Sequence, residues 1–524
     1  MTRTETASPL KTHFKPIAIT ASVLVIIFLT GVTVLCARWP FSEQKVVKNL
    51  RDTSMSNVQV GRFHGRYFPR PGCVLERVTF QHNPKPGTPP LITAQRITIE
   101  GSFFGLFAKR VGSVRVEGMR ILVPPRGSGE SFETPSRSTV VIDRLIADDA
   151  VLEIASRDPG KRPLKFSFHE FTLRDVGSRG PASFHANFSN PKPPGEITTD
   201  GKFGPWNDTD VGKTPVSGEY VFRGADLGVF KAIAGTLSSP GKFSGTLDHI
   251  AVAGSTDVPN FTVTSSSHKL ELQTRFQAEV NGENGDTFLQ NVIAHFWRTT
   301  VFSEGSVAEE GTKKGKTTSV TLQSKHARIE DILNLFIQSK QAPMSGIVNF
   351  KANVMIPPEQ APFLQKVGLQ GDFGVDEGKF TKLDTQEGVN NLSEGARGDK
   401  NHGKNDSNQG NSETVLSDLK GHVILKDGTA TFSNLSFSIP GASAQLHGTY
   451  NLISEKIDLH GTLNTRAELA KTTHGVKALM LKVLDPFFKK HKAGYAAPVK
   501  ITGTYDHPSF GLDLADHDAK HHGL

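Results

Sequence analysis

The sequence predicts a mainly β protein behind an N-terminal transmembrane helix, with an antiparallel-type sheet and a few short helices. Three observations carry this reading. Ile17 to Cys36 is a 20-residue run without a single charge. Beyond it, apolar and polar residues alternate with period two for hundreds of residues, as in a sheet wetted on one side. The aromatic content is lopsided, with 34 Phe against 5 Tyr and 3 Trp. Phe brings large apolar area without a polar handle, so such a bias implies much purely apolar surface, as a core or a channel.

The first element is the apolar run itself. At about 1.5 Å per residue it is long enough to cross a hydrocarbon core of about 30 Å. Lys11 and Lys15 precede it, Arg38 follows, and Trp39 falls where a ring favours the membrane–water interface. A removable signal peptide is the rival reading. Its apolar region normally runs about 7–15 residues and ends in a small-x-small site, whereas Leu35 occupies the first small position here. A retained anchor over 16–38 follows, with 1–15 on the cytoplasmic side. Basic residues flank both ends, so charge alone barely orients it.

Val46, Val47 and Leu50 suggest a short helix next. Strands follow: Val78 and Phe80 around Thr79, Ile97 and Ile99 around Thr98, Val114 and Val116 around Arg115. These fall in an N-terminal β region, 39–125. Residues 126–139, rich in Ser, Gly, Pro and charge, read as a linker. A central β region, 140–385, holds Phe166 with Phe168, Phe261 with Val263, and Leu270 with Leu272. Residues 386–413 are rich in Asn, Gly, Asp and Lys, and cannot bury enough area to offset their ordering entropy. They read as a disordered loop before a C-terminal β region, 414–524. The total is on the order of 25 strands of about 5–8 residues.

Helical periodicity occurs at Leu227, Phe230 and Ile233, with Asp226 as N-cap. It recurs at Ile329, Ile332, Leu333 and Phe336, and again from Val476 to Phe488, where Pro486 should kink or end the helix. The last segment presents Lys477, Lys482 and Lys489 beside Phe487 and Phe488. Such a helix can lie on an anionic membrane surface, or cap the open end of a sheet.

Chemical motifs are missing where enzymes need them. The run Gly311 to Thr317 resembles a phosphate loop, but the first glycine of that motif would be residue 310, which is Glu310. Ser443 lacks the second glycine of a nucleophile elbow, since Gln445 stands there. The carboxylates and histidines from Asp513 to His522 sit in a terminal tail, where fraying disfavours a metal site. Cys36 and Cys73 are the only cysteines and form no framework. No catalytic residues, cofactor or metal are expected. The net charge of +8 is spread along the chain, which favours anionic membrane surfaces weakly and nucleic acid hardly at all.

In order behind the anchor, several short motifs resemble the AsmA-like family of Gram-negative envelope proteins, relatives of the repeating β-groove lipid-transfer proteins. At the N-terminal end they are Val58-Gln59-Val60-Gly61, Gly72 to Phe80, Ile97 to Glu100, and Val114 to Gly118. At the C-terminal end they are Gly448 to Leu452, Ile457 to Gly461, and Pro498 to Tyr505 with His507 to Phe510. The resemblance implies an elongated, curled sheet forming a groove with an apolar floor and a polar exterior. It also implies a single-pass inner-membrane protein with its large body in the periplasm, acting in lipid transport or outer-membrane maintenance. Phospholipids or other acyl lipids would then lie along Val78, Phe80, Ile97, Ile99, Phe166, Phe168, Phe261, Val263, Leu270 and Leu272. A scaffold that assembles outer-membrane proteins at its strand edges is the alternative.

Overall fold

Period-two alternation becomes strand almost everywhere it occurs. The computed structural model describes residues 40–54, 56–81, 90–123, 140–155, 163–177, 180–207, 209–230, 232–264, 266, 268–282, 284–310, 315–337, 340–358, 361–381, 417–439, 442–465, 489–491, 494–504 and 507–513. The expected membrane span, linker, 386–413 loop and tail beyond Asp513 lie outside these, as does nearly all of the expected basic helix. No helix among the described residues is long and apolar enough to cross a membrane. The chain divides into two units, Met1–Ala182 and Ser183–Leu524.

The first unit opens with α1 (Glu43–Ser54), where Val46 is buried and Val47 and Leu50 pack beside it. Glu43 in its first turn and Arg51 in its last complement the helix dipole. Strands β1 (Asn57–Arg66), β2 (Gly72–Gln81) and β3 (Ile92–Gly101) form an antiparallel meander. After the short α2 (Phe103–Phe107), β4 (Arg110–Glu117) and β5 (Arg120–Val123) both pair antiparallel with β3. Then β6 (Val141–Ile154) pairs parallel with β4 and β5, and β7 (Leu164–Val176) antiparallel with β6. The sheet is therefore mixed, a correction to the antiparallel-type expectation. A parallel neighbour needs a crossover connection, and the long chain between Val123 and Val141 is enough for one. Alternation is the same in both pairings, so it cannot distinguish them.

The second unit begins with β8 (Ala182–Pro191), β9 (Pro194–Phe203), β10 (Pro215–Asp226), β11 (Ile233–Ala234), β12 (Thr236–Thr246) and β13 (His249–Val263). It continues with β14 (Leu270–Val280), β15 (Thr287–Phe296), β16 (Thr299–Glu309), β17 (Lys316–Arg328), α3 (Ile329–Asn334) and β18 (Met344–Ile356). Next come α4 (Phe363–Lys366), β19 (Gly368–Phe380), β20 (Ser417–Lys426), β21 (Thr429–Ile439) and β22 (Ala442–Asn451). The last strands are β23 (Lys456–Thr465), β24 (Lys489–His491), β25 (Gly494–Thr504) and β26 (Pro508–Leu512).

From β9 onward each long strand pairs antiparallel with the next, leaving β11 and β24 as short additions beside β13 and β25. Bulges between Val258 and Phe261, Leu289 and Val292, Ser324 and Ala327, and Phe432 and Leu435 bend these strands. The predicted helix at Leu227 is a single 3-10 turn, Leu227–Phe230, although Asp226 does cap it by accepting from the Gly228 amide at 2.8 Å. The helix at Ile329 forms as α3. Lys489, expected at the end of the basic helix, begins β24 instead and pairs with Ala496. Residues 489–491 pair along the edge of β25. Lys477, Lys482, Phe487 and Phe488 lie outside the described residues.

Candidate functional site

In the second unit the strand register turns local alternation into a continuous surface. Tyr220, Gly241, Gly254, Phe276, Val292, Ser303, Leu322, Ala352, Gly371, Val423, Phe432, Gly448, Leu459 and Ile501 stand directly opposite one another from strand to strand. A second row two residues along is equally free of charge: Gly218, Phe243, Val252, Ala278, Leu289, Gly305, Val320, Val354, Leu369, Leu425, Ala430, Tyr450, Ile457 and Gly503. At about 4.8 Å per strand, each row runs on the order of 60 Å measured along the sheet.

The face these rows make is apolar and incompletely covered. Phe243, Phe276, Leu322, Val354, Leu369, Val423, Phe432 and Leu459 are all partly exposed, and the buried members are small: Ala278, Ala352, Gly371 and Ala430. A closed sandwich would bury such side chains completely. Aromatic rings lie across cross-strand glycines, which keeps the surface low. A methyl group on Gly241 would come within 2.6 Å of the Tyr220 ring, one on Gly218 within 2.8 Å of Phe243, and one on Gly254 within 3.0 Å of Phe276. Each ring occupies the space a neighbouring side chain would need.

Beside this face, α3 and its neighbours close one cluster. Leu270, Phe296 and Val301 are buried there, with Phe261, Leu272, Ile332 and Leu335 packed against them. Asp331 on α3 is itself buried and accepts hydrogen bonds from the Thr299 hydroxyl at 2.9 Å and the Arg298 amide at 3.1 Å. That fixes the helix onto the turn between β15 and β16.

The sequence-predicted lining residues fall into three places. Val78 and Ile97 are buried in the first unit's core, with Phe80 and Ile99 packed against it. Phe41 and Val46 belong to the same cluster, so Val78 and Ile97 are enclosed by packing. Phe166 and Phe168 lie half-buried on β7, opposite Leu152 and Ala150. Phe261, Leu270 and Leu272 meet in the cluster under α3, and Val263 pairs with Ile233 of β11. The uncharged rows contain none of the ten. Glycines broke the apolar count along individual strands there, and only the register shows that a ring from the next strand fills each gap.

The opposite face of the same sheet carries a cleft with several charged and polar side chains. The cleft, about 1750 Å³ in volume, spans β16 to β23, lined by Phe302, Gln323, Lys325, Lys351, Asp372, Lys420, His422 and Gln445 among others. Gln323, Lys351, Asp372, His422 and Ser433 form one cross-strand row through it. A cleft on this face departs from a groove whose only floor is apolar. At its β23 margin, His447 faces the tilted ring of His460, with centroids 6.4 Å apart. Asp513 and Asp458 engage the two nitrogens of His460 at 2.6 and 2.9 Å and raise its pKa above the ordinary histidine value. In the first unit, burial pushes the Cys73 thiol up to about 12, which leaves it an inert core group. Among the described residues no three His, Cys, Asp or Glu side chains gather as a metal site. No family model, no curated protein and no solved structure matches the chain.

Proposed function

We propose that the chain is an inner-membrane-anchored, periplasmic lipid-binding and lipid-transfer protein that supports outer-membrane lipid homeostasis and envelope assembly without catalysis. The observation that carries this reading is the pair of uncharged rows on the second unit, whose large side chains stay partly exposed. An acyl chain laid along them gains about 0.8 kcal/mol per methylene removed from water. No directional bond holds it in one place, so the same surface lets a lipid slide. Headgroups remain in water at the strand ends. The uncharged run Ile17 to Cys36 supports attachment to the bilayer from which lipid would be drawn.

Lipid mass spectrometry on the full chain, extracted in detergent and washed, tests the reading. The wild type should retain phospholipid, and Phe276→Asp combined with Val354→Asp should lose most of it while staying folded. Gln277→Asp, one residue away on the polar face, should keep it. Equal lipid on all three proteins would contradict an acyl-binding face.

A further inference from the structure

We propose that the polar cleft between β16 and β23 is a second binding site, and that its ligand is an anionic glycan carrying more than one phosphate or carboxylate group. By strand register Lys351, Asp372, Lys420 and His422 of the cleft fall on the face opposite the uncharged rows, so the site is additional to the acyl-binding surface.

Its charge is one-sided. Asp372 is the only carboxylate in the lining, and it is engaged by the His422 ring at 2.7 Å. Lys325, Lys351 and Lys420 line the same cleft, and none has an ion-pair partner among the described residues. By contrast, Arg298 at the rim is held by Glu330 at 2.8 Å and by Asp331. The three lysines are spread over β17, β18 and β20. The register places their Cα atoms about 8–14 Å apart, at about 4.8 Å per strand and about 3.4 Å per residue. That spacing suits several anionic groups along an extended molecule better than one compact anion.

The neutral lining selects the rest of the ligand. Gln323 and Gln445 offer side-chain amides, and Ser433 and Ser436 offer hydroxyls; these groups match the vicinal hydroxyls of a sugar as both donors and acceptors. Phe302, 43% exposed, gives the C–H face of a sugar ring an apolar wall. A nucleic acid would ask for a run of stacking platforms, and Phe302 is the one exposed Phe, Tyr or Trp in this lining. The glycan could be free or the headgroup of a glycolipid, and the same side chains would read both.

The test is equilibrium binding to the full chain in detergent, with hexagalacturonate, maltohexaose, a single-stranded DNA oligomer and micelles of an anionic glycolipid as probes. Hexagalacturonate should bind, and should bind more weakly as salt rises. Reversing all three lysines (Lys325→Glu, Lys351→Glu, Lys420→Glu) should weaken it about tenfold or more. Lys202→Glu, exposed on the same polar face but outside the cleft, should leave it unchanged. These side chains are exposed, so the fold should survive, as circular dichroism will check.

Glycolipid binding that the triple reversal abolishes, alongside hexagalacturonate binding, would assign a headgroup source; hexagalacturonate binding alone would assign a free glycan. Maltohexaose binding as tightly as hexagalacturonate, DNA binding more tightly than either, or equal losses from Lys202→Glu and the triple reversal would each overturn the proposal. Because the lysines lie opposite the acyl-binding rows, the triple variant should keep its copurified phospholipid. Failure of this site is thereby separated from failure of the lipid reading.

Discussion

His460 joins the end of the last described strand to β23 through charge. Its ring engages Asp513 at 2.6 Å and Asp458 at 2.9 Å, and both carboxylates favour the imidazolium. Its folded pKa is therefore raised, with the Asp513 hydrogen bond the largest cause. A raised value means the contribution to stability is complete below the unfolded pKa of about 6.5. It is lost as the pH climbs through the folded value. An NMR titration should find His460 titrating above an exposed histidine, and Asp513→Asn should bring it down. Titration at the ordinary value in both proteins would show that the pair does not persist in solution.

The glycines of the uncharged rows can be tested one at a time. At Gly241 the nearest obstacles to a side chain are atoms of the Tyr220 ring, so Gly241→Val must push that ring off the face. The cost should be about 1–3 kcal/mol, the usual range for overpacking. Adding Tyr220→Ala should return part of it, which denaturant unfolding of the single and double variants will measure. Additive losses would mean that the ring does not rest on the glycine.

Among the elements, α3 shows how a short helix can be held by one buried carboxylate. It has only six residues, too few to persist alone. Asp331 secures it to Thr299 and Arg298, while Ile332 reaches the apolar cluster. Asp331→Ala leaves the Thr299 hydroxyl and the Arg298 amide without that acceptor, at about 1–3 kcal/mol. Hydrogen exchange should then rise at α3 and the β15–β16 turn before it rises in β20 to β22. A uniform rise would mean that α3 belongs to the global folding unit.

Elements of this kind were partly legible in the sequence. Spacing at Ile329, Ile332 and Leu333 pointed to α3, and Val46 with Leu50 to α1. Leu227, Phe230 and Ile233 suggested a short helix, but the strand pairing of Ile233 leaves room for one 3-10 turn. The parallel pairing of β6 was invisible, because nothing in β6's own alternation names its neighbour. Val78 and Ile97 entered the expected lining on the same ground: period two identifies an apolar face, but not which other side chains pack on it, here Phe41 and Val46.

At the scale of a whole unit, residues 183–524 carry a face of each kind, and the sequence disclosed only the alternation that makes this possible. The excess of Phe over Tyr and Trp becomes intelligible here. Rings laid across glycines pave a surface without asking for hydrogen-bond partners, as Phe243 does over Gly218 and Phe276 over Gly254. The polar cleft had no sequence signature, because Lys325, Lys351 and Lys420 are separated by whole strands and meet only through the register.

The most direct measurement follows from that two-sidedness. A photo-crosslinking amino acid placed in turn at every position from Leu272 to Ala278 of the full chain, in living cells, reports what each face touches. Beyond Leu272, which packs in the cluster under α3, lipid adducts should appear at Thr274, Phe276 and Ala278 and be missing at Gln273, Arg275 and Gln277, a period of two residues. Adducts at both sets alike, or at neither, would contradict an acyl-binding face on this sheet.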